Sequence, residues 1–272
     1  MKDDGRGNPE TRDALGDRSS ESVTAVSPAL PVVQVDVLMP TTDGQCDGVF
    51  LHPGSGVHPG VLLWPDGLGL RPALRDLGQR LAAQGYAVLV PNPFYRSARA
   101  PVFTGPFSFE NPAHRAQLQQ LVAPLREAGA AERDAAAYTA FLDAQPQVDT
   151  ARPLGTQGYC MGGALAVRTA AARPQRVGAA ASFHGGGLVT EQPDSPHLLA
   201  PRIRARLYIA IAANDDARQP EAKDTLRAAF AAAHVRAEIE VYAGTLHGWC
   251  IPDMPMEQGV PVYNEPAAER AW

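Results

Sequence analysis

Residues 154–172 read LGTQGYCMGGALAVRTAAA, and this stretch decides the fold. Residues 154–159 suit a short strand, and residues 162–172 are rich in alanine, the strongest helix former. Between them lies Gly158-Tyr159-Cys160-Met161-Gly162-Gly163. This is the G-x-S-x-G turn between a strand and a helix, with cysteine in the serine position. Such a turn strains the backbone of its central residue and lifts that side chain above the strand end. Small residues on either side let strand and helix come close. The thiol then sits at a helix N-terminus, whose partial positive charge favours an anionic sulfur. The Met161 amide is left free to donate to an oxyanion.

Outward from this turn, strands and helices alternate. Upstream, residues 61–64 (VLLW) form a continuous apolar run, as in a strand covered on both faces. Residues 71–84 place Leu74, Leu77 and Leu81 on one helical face, with Gly85 as the stop. Residues 86–90 give a second buried strand, closed by Pro91, so that the three elements make a parallel βαβ unit. Earlier still, Val33-Gln34-Val35-Asp36-Val37 alternates with period two, residues 42–44 supply a turn, and residues 47–51 return. That pattern predicts a hairpin at the sheet edge. Residues 92–130 break the rhythm and read as an insertion over one end of the sheet, helical around residues 117–126. The alternation resumes with helix 132–144. Downstream of the 154–172 stretch come strand 179–183, strand 207–212, helix 221–233 and strand 238–242. Residues 31–272 thus read as one α/β domain, a doubly wound, mostly parallel sheet flanked by helices, with an N-terminal edge hairpin. Residues 1–30 are polar and aperiodic and read as a disordered tail.

Composition narrows the class of function. The chain has 272 residues, 45% of them apolar and 19% charged, enough to build a full core. Lysine and arginine number 24 against 29 acids, a net charge of −5 with no basic cluster, which argues against nucleic acid as a partner. No apolar run is long enough to span a bilayer, and residues 1–22 lack the apolar core of a secretory signal. The three cysteines, Cys46, Cys160 and Cys250, cannot complete a disulfide framework and match no zinc spacing. The expectation is a cytoplasmic protein with reduced thiols, no metal and no cofactor. Oligomeric state leaves no readable trace.

A nucleophilic thiol needs a base, and the base an orienting acid. His247, in Thr245-Leu246-His247-Gly248-Trp249, follows the last strand, and Gly248 frees its loop to turn. His184, in Phe183-His184-Gly185-Gly186-Gly187, sits at a strand end and is a candidate to line the site and touch substrate. His52, His58, His114, His197 and His234 read as surface or core residues. Asn214-Asp215-Asp216 offers two acids: Asp215 lies nearer the strand end and is preferred, while a strict reading of Asp, three residues, then Pro favours Asp216. The order nucleophile, acid, histidine is that of the α/β-hydrolases. Cys46 and Cys250 read as structural.

With these residues the chain resembles the dienelactone hydrolases, from about residue 33 to residue 272. The likeness rests on the cysteine-bearing turn, the acid at Asp215, Leu246-His247-Gly248 and residues 85–96, GYAVLVPNPFYR. It implies the α/β-hydrolase fold and hydrolysis of a cyclic enol-lactone or related ester, through a thioester on Cys160 served by His247 and Asp215. It also implies a thiol-activating carboxylate at Asp66, in Trp64-Pro65-Asp66-Gly67-Leu68-Gly69. There the family usually has glutamate preceded by glutamine, and aspartate is one methylene shorter. The other reading of Asp66 is a turn residue in a Pro-Asp-Gly loop. By the same match the Gly67 amide joins Met161 in an oxyanion hole, and Arg96 holds a substrate carboxylate. The aromatics of the insertion, among them Phe94, Tyr95 and Phe109, are expected either to shape an apolar pocket or to pack as a lid. Residues 266–272 begin the terminal helix that such proteins carry. The leading expectation is a hydrolase acting on a small-molecule lactone or ester, with neither nucleic acid nor membrane as partner. The competing one is a catalytically inactive binding protein on the same fold.

Overall fold

A computed structural model describes residues 30–272. The segment read as a tail lies, apart from Leu30, outside the described residues. Strands β1 (Val32–Thr41) and β2 (Gly44–Pro53) form the expected antiparallel hairpin, pairing from Val32 with Pro53 to Thr41 with Gly44. The turn closes where Thr41 Oγ1 accepts from the Asp43 amide at 3.2 Å and donates to the Gly44 carbonyl at 3.0 Å. Strands β3 (Gly60–Trp64) and β4 (Ala87–Pro91) run parallel, joined by helix α1 (Pro72–Ala83). Pro72 opens α1 with its φ already set for a helix, and Gly85 ends the turn beyond it at φ +95°.

The remaining strands, β5 (Leu154–Tyr159), β6 (Val177–Phe183), β7 (Arg206–Ala212) and β8 (Ala237–Tyr242), extend the sheet in parallel. The eight-stranded order is β1-β2-β4-β3-β5-β6-β7-β8, the mostly parallel sheet of the α/β-hydrolase fold with the hairpin at one edge. Both faces of its middle are buried, which explains the unbroken apolar runs. Val61, Leu63, Val88 and Val90 pack with Leu74 and Leu77 of α1 on one face. Leu62, Trp64 and Leu89 face Tyr138 and Leu142 of α3 (Ala130–Asp143) and Leu165 of α4 (Met161–Ala172) on the other. Leu63 is fully buried, so truncation to alanine costs about 2–5 kcal/mol.

The insertion forms helix α2 (Pro112–Val122), which starts five residues before the predicted helical stretch. Asn111 is the reason: its side chain accepts from the Ala113 amide at 2.9 Å, and Pro112 fills the first helical position. After β7 the chain enters helix α5 (Ala213–Arg218) without a loop, followed by α6 (Ala222–Ala232). A 3-10 helix at Pro196–Arg202 has no counterpart in the sequence reading. The predicted terminal helix is α7 (Glu265–Ala271), capped by Asn264 and tied to α1 by Arg80, which donates to both Glu269 oxygens at 2.6 Å. Among the described residues no helix is long and apolar enough to cross a membrane, and no group of three or more His, Cys, Asp or Glu side chains is placed to hold a metal ion.

Candidate active site

Cys160 is the single residue between β5 and α4, at φ 55° and ψ −122°. A non-glycine residue held there costs about 1–3 kcal/mol, so the surroundings must impose it. They do so through three backbone bonds: the Cys160 amide donates to the Phe183 carbonyl at 3.1 Å, and the Cys160 carbonyl accepts from Gly163 at 3.0 Å and Gly186 at 3.2 Å. The flanking glycines are there for closeness. A Cβ on Gly158 would overlap the Gly162 carbonyl, and one on Gly163 would overlap Ser182 Oγ. One on Gly162 would stand 2.5 Å from the Trp64 carbonyl oxygen. Strand, helix and the neighbouring strands therefore converge under the thiol. Cys160 is partly exposed, whereas Cys46 and Cys250 are buried. Burial raises both of those thiols, Cys46 to about 12, which leaves them unreactive at neutral pH.

His247 arrives on the loop after β8. Thr245 fixes that loop, donating to the Tyr242 carbonyl at 2.7 Å and accepting from the Ala213 amide at 3.3 Å. Gly248 turns the chain at φ +104°, and Trp249, fully buried, stacks on Tyr242 at 5.0 Å. His247 Nδ1 then lies 2.6 Å from Asp215 Oδ2. The second Asp215 oxygen takes Arg218 at 3.1 Å, while Asp216 turns to Lys223 at 2.7 Å. Of the two adjacent acids, Asp215 is thus the one brought to the imidazole. Burial pulls the His247 imidazolium down. That burial is the largest single influence, but the charge of Cys160, hydrogen bonds with Asp215 and Cys160 and the charge of Asp215 together outweigh it, and His247 rises to about 10.

The other expected site residues are placed differently. His184 is fully buried, at φ 41°, and neither ring nitrogen has a hydrogen-bond partner. It stands edge-on behind His247, 5.2 Å between centroids, and equally far from Trp249. Burial, then the charge of His247, holds it neutral, well below the ordinary histidine range. The ring is sealed beside the His247 imidazole, with no surface exposed.

Asp66 is also buried, and its carboxylate is engaged. Arg71 Nη1 and Nη2 donate to its two oxygens at 2.7 and 2.9 Å, and the Leu68 amide donates to Oδ1 at 2.8 Å. Arg71 reaches on to Asp253, beyond His247 in the chain, at 2.7 and 2.9 Å. No local pattern around Arg71 points to this brace. Gly67 follows Asp66 on the loop whose Trp64 and Pro65 carbonyls lie against Gly162 at the start of α4, and a Cβ on Gly67 would meet Leu118 of α2. Arg96 is not brought to the thiol. Its guanidinium donates to both oxygens of buried Asp134 at 2.7 and 2.8 Å and to Asp43 at 2.6 and 3.1 Å, and it lies 4.6 Å over the Tyr95 ring.

Two cavities flank the Cys160–His247 pair. One of about 680 Å³ opens beside Cys160 and Met161, bounded by Arg126, Arg168 and the Gly186-Gly187 loop. There Arg168 is neutralised by Glu132 at 3.2 Å and Asp194 at 2.8 Å. The other, about 250 Å³, lies beside His247 under Phe109, Met254, Met256 and Val262. Of the insertion's aromatics, Phe94 and Tyr95 are buried elsewhere, and Phe103 and Phe107 pack edge to face at 4.7 Å; Phe109 reaches the His247 cavity.

Comparison with known proteins agrees with this fold. The carboxymethylenebutenolidase of Rhodococcus opacus is 29% identical over 203 residues, 74% of this chain and 74% of that protein. A dienelactone hydrolase-like promiscuous phosphotriesterase from metagenomic libraries superposes with a TM-score of 0.72 at 25% identity, covering 89% of this chain and 94% of that one. A dienelactone hydrolase from Anabaena variabilis shares the fold, with a TM-score of 0.59 at 17% identity over 88% of this chain and 93% of its own. The sequence pattern of the dienelactone hydrolase family matches residues 46–272, and the chain belongs to that family.

Proposed function

We propose that this hydrolase cleaves a carboxylic ester or lactone through a thioester on Cys160. His247 takes the thiol proton, and the sulfur attacks the substrate carbonyl. The amides of Met161 and Gly67 receive the oxyanion, each such donor contributing about 3 kcal/mol to the transition state. As the tetrahedral species collapses, His247 returns the proton to the departing oxygen. The neutral imidazole then draws a proton from water, which adds to the thioester; collapse restores the thiol and frees the acid. Asp215 orients the imidazole and balances its charge. Every residue used belongs to the chain, and no metal or cofactor enters.

The observation that carries this reading is the partly exposed thiol at positive φ, whose charge raises an imidazole already held by a carboxylate. Asp66 and Arg96 receive other roles than the family likeness suggested. With its oxygens on Arg71 and Leu68, Asp66 braces the loop that presents the Gly67 amide, and His247 alone serves the thiol. Arg96 braces the hairpin turn against α3 through Asp43 and Asp134. A reducing compartment such as the cytoplasm keeps the thiol in the form this chemistry needs.

The test is Cys160→Ala, assayed with p-nitrophenyl butyrate. Hydrolysis is expected to vanish with the circular dichroism spectrum intact, and iodoacetamide alkylation of Cys160 is expected to track activity loss in the wild type. Full turnover in the variant would exclude the mechanism.

A further inference from the structure

We infer that the cavity beside His247 is a leaving-group subsite that takes the apolar alcohol part of an open-chain ester. The inference rests on the thioester reading and adds to it the class of substrate. His247 Nδ1 is committed to Asp215, so the opposite ring nitrogen is the one that faces the reaction. That nitrogen must protonate the departing oxygen, which puts the alcohol fragment on the imidazole side of the thiol. The space on that side is the 250 Å³ cavity, walled by Phe109, Met254, Pro255, Met256 and Val262, with one uncharged polar side chain, Asn214, whose buried Oδ1 has no partner. Two of these are methionines, flexible enough to close on groups of different shape. The charged groups at this cavity, Glu110, Arg218 and Glu257, are all exposed, and Arg218 is paired with Asp215. A cavity of about 150 Å³ already admits benzene, so this one has room for a ring and its linking carbon.

The larger cavity supplies the second half of the argument. It adjoins Cys160 and Met161, where the acyl group remains after the alcohol departs. An ester whose halves extend in opposite directions fills both cavities and releases one product from each. A small lactone keeps acid and alcohol tethered and leaves the His247 cavity empty. The geometry therefore selects an open-chain ester over a ring.

The experiment compares benzyl butyrate, ethyl butyrate, butyrylcholine and γ-butyrolactone by acid release, with p-nitrophenyl butyrate as the measure of ester cleavage itself. Benzyl and ethyl alcohols are similarly basic, so chemistry alone separates their esters little. Wild-type kcat/KM is expected to be at least tenfold higher for benzyl butyrate than for each of the other three. Met256→Trp, which fills the cavity from its exposed rim, and Phe109→Ala, which removes its roof, are each expected to bring the benzyl-to-ethyl ratio several-fold closer to one. Equal rates across alcohols, a preference for butyrylcholine, or fastest opening of γ-butyrolactone would overturn the subsite and leave the thioester reading standing. No cleavage of any member, p-nitrophenyl butyrate included, would overturn both.

Discussion

Arg71 grips both carboxylate oxygens of Asp66, at 2.7 and 2.9 Å, with the Asp66 side chain buried and the arginine nearly so. The same guanidinium holds Asp253, so the loop carrying Gly67 and the loop beyond His247 are clamped to one another. A carboxylate held this way is a structural anchor. Arg71→Met leaves Asp66 buried without its cation and is expected to cost about 3–5 kcal/mol in urea denaturation. Asp66→Asn is expected to lower kcat/KM by less than about tenfold, against the 10²–10⁴-fold that a general base contributes. A larger loss in a variant of unchanged stability would return Asp66 to the thiol.

Asp215 and Asp216 are neighbours in one helical turn, yet one faces His247 and the other Lys223. Asp215→Asn is expected to reduce kcat by roughly 10²–10⁴-fold, the range seen when an orienting acid is neutralised. Asp216→Asn should remain within about twofold of wild type, as a partly exposed ion pair contributes little. Steady-state kinetics of the two variants decides between them, and the reverse ranking would reassign the acid.

The histidine titration gives an independent reading. His247 is raised from the ordinary 6.5 to about 10, so folding favours its protonated form. The stabilisation this provides is fully present below about pH 6.5 and disappears as pH climbs toward 10. Because the Cys160 thiolate is the strongest raising influence, Cys160→Ala is expected to move the His247 titration down, as followed by its ring-proton NMR signal. An unchanged titration would mean that the two side chains do not share charge.

Arg96 is expected to matter for stability and not for substrate charge. Its removal leaves Asp134, fully buried on α3, without a cation, at a cost of about 3–5 kcal/mol. Arg96→Ala should therefore lower the denaturation midpoint while changing kcat/KM for anionic and neutral esters by the same factor. Loss confined to anionic esters would restore the substrate-binding role that the family likeness implied.

What the sequence made legible was local. The glycines around Cys160 report a crowding of backbones that only they permit, and the run at residues 61–64 reports burial on both sheet faces. The alternation at residues 33–37 marks the edge strand of the hairpin by its period alone, since Val33 and Val35 stay exposed. Long-range partnerships were not legible. Nothing near Arg96 announces that its carboxylate, Asp134, lies 38 residues on, and nothing near Arg71 announces Asp253. Asp215 and Asp216 are equivalent until the direction of α5 is known. The early start of α2 was readable in principle, since Asn111-Pro112 is a capping signal, but the prolines and phenylalanines around it obscured the helix.

The thioester itself is the most direct test of the account. Wild-type protein mixed with p-nitrophenyl butyrate, quenched in acid within the burst and digested, is predicted to carry a butyryl mass increment on the peptide containing Cys160. The increment should be released by hydroxylamine and absent in Cys160→Ala. A burst of nitrophenol with the acyl group on another residue, or steady hydrolysis with no acylated peptide at any time, would contradict a mechanism centred on this cysteine.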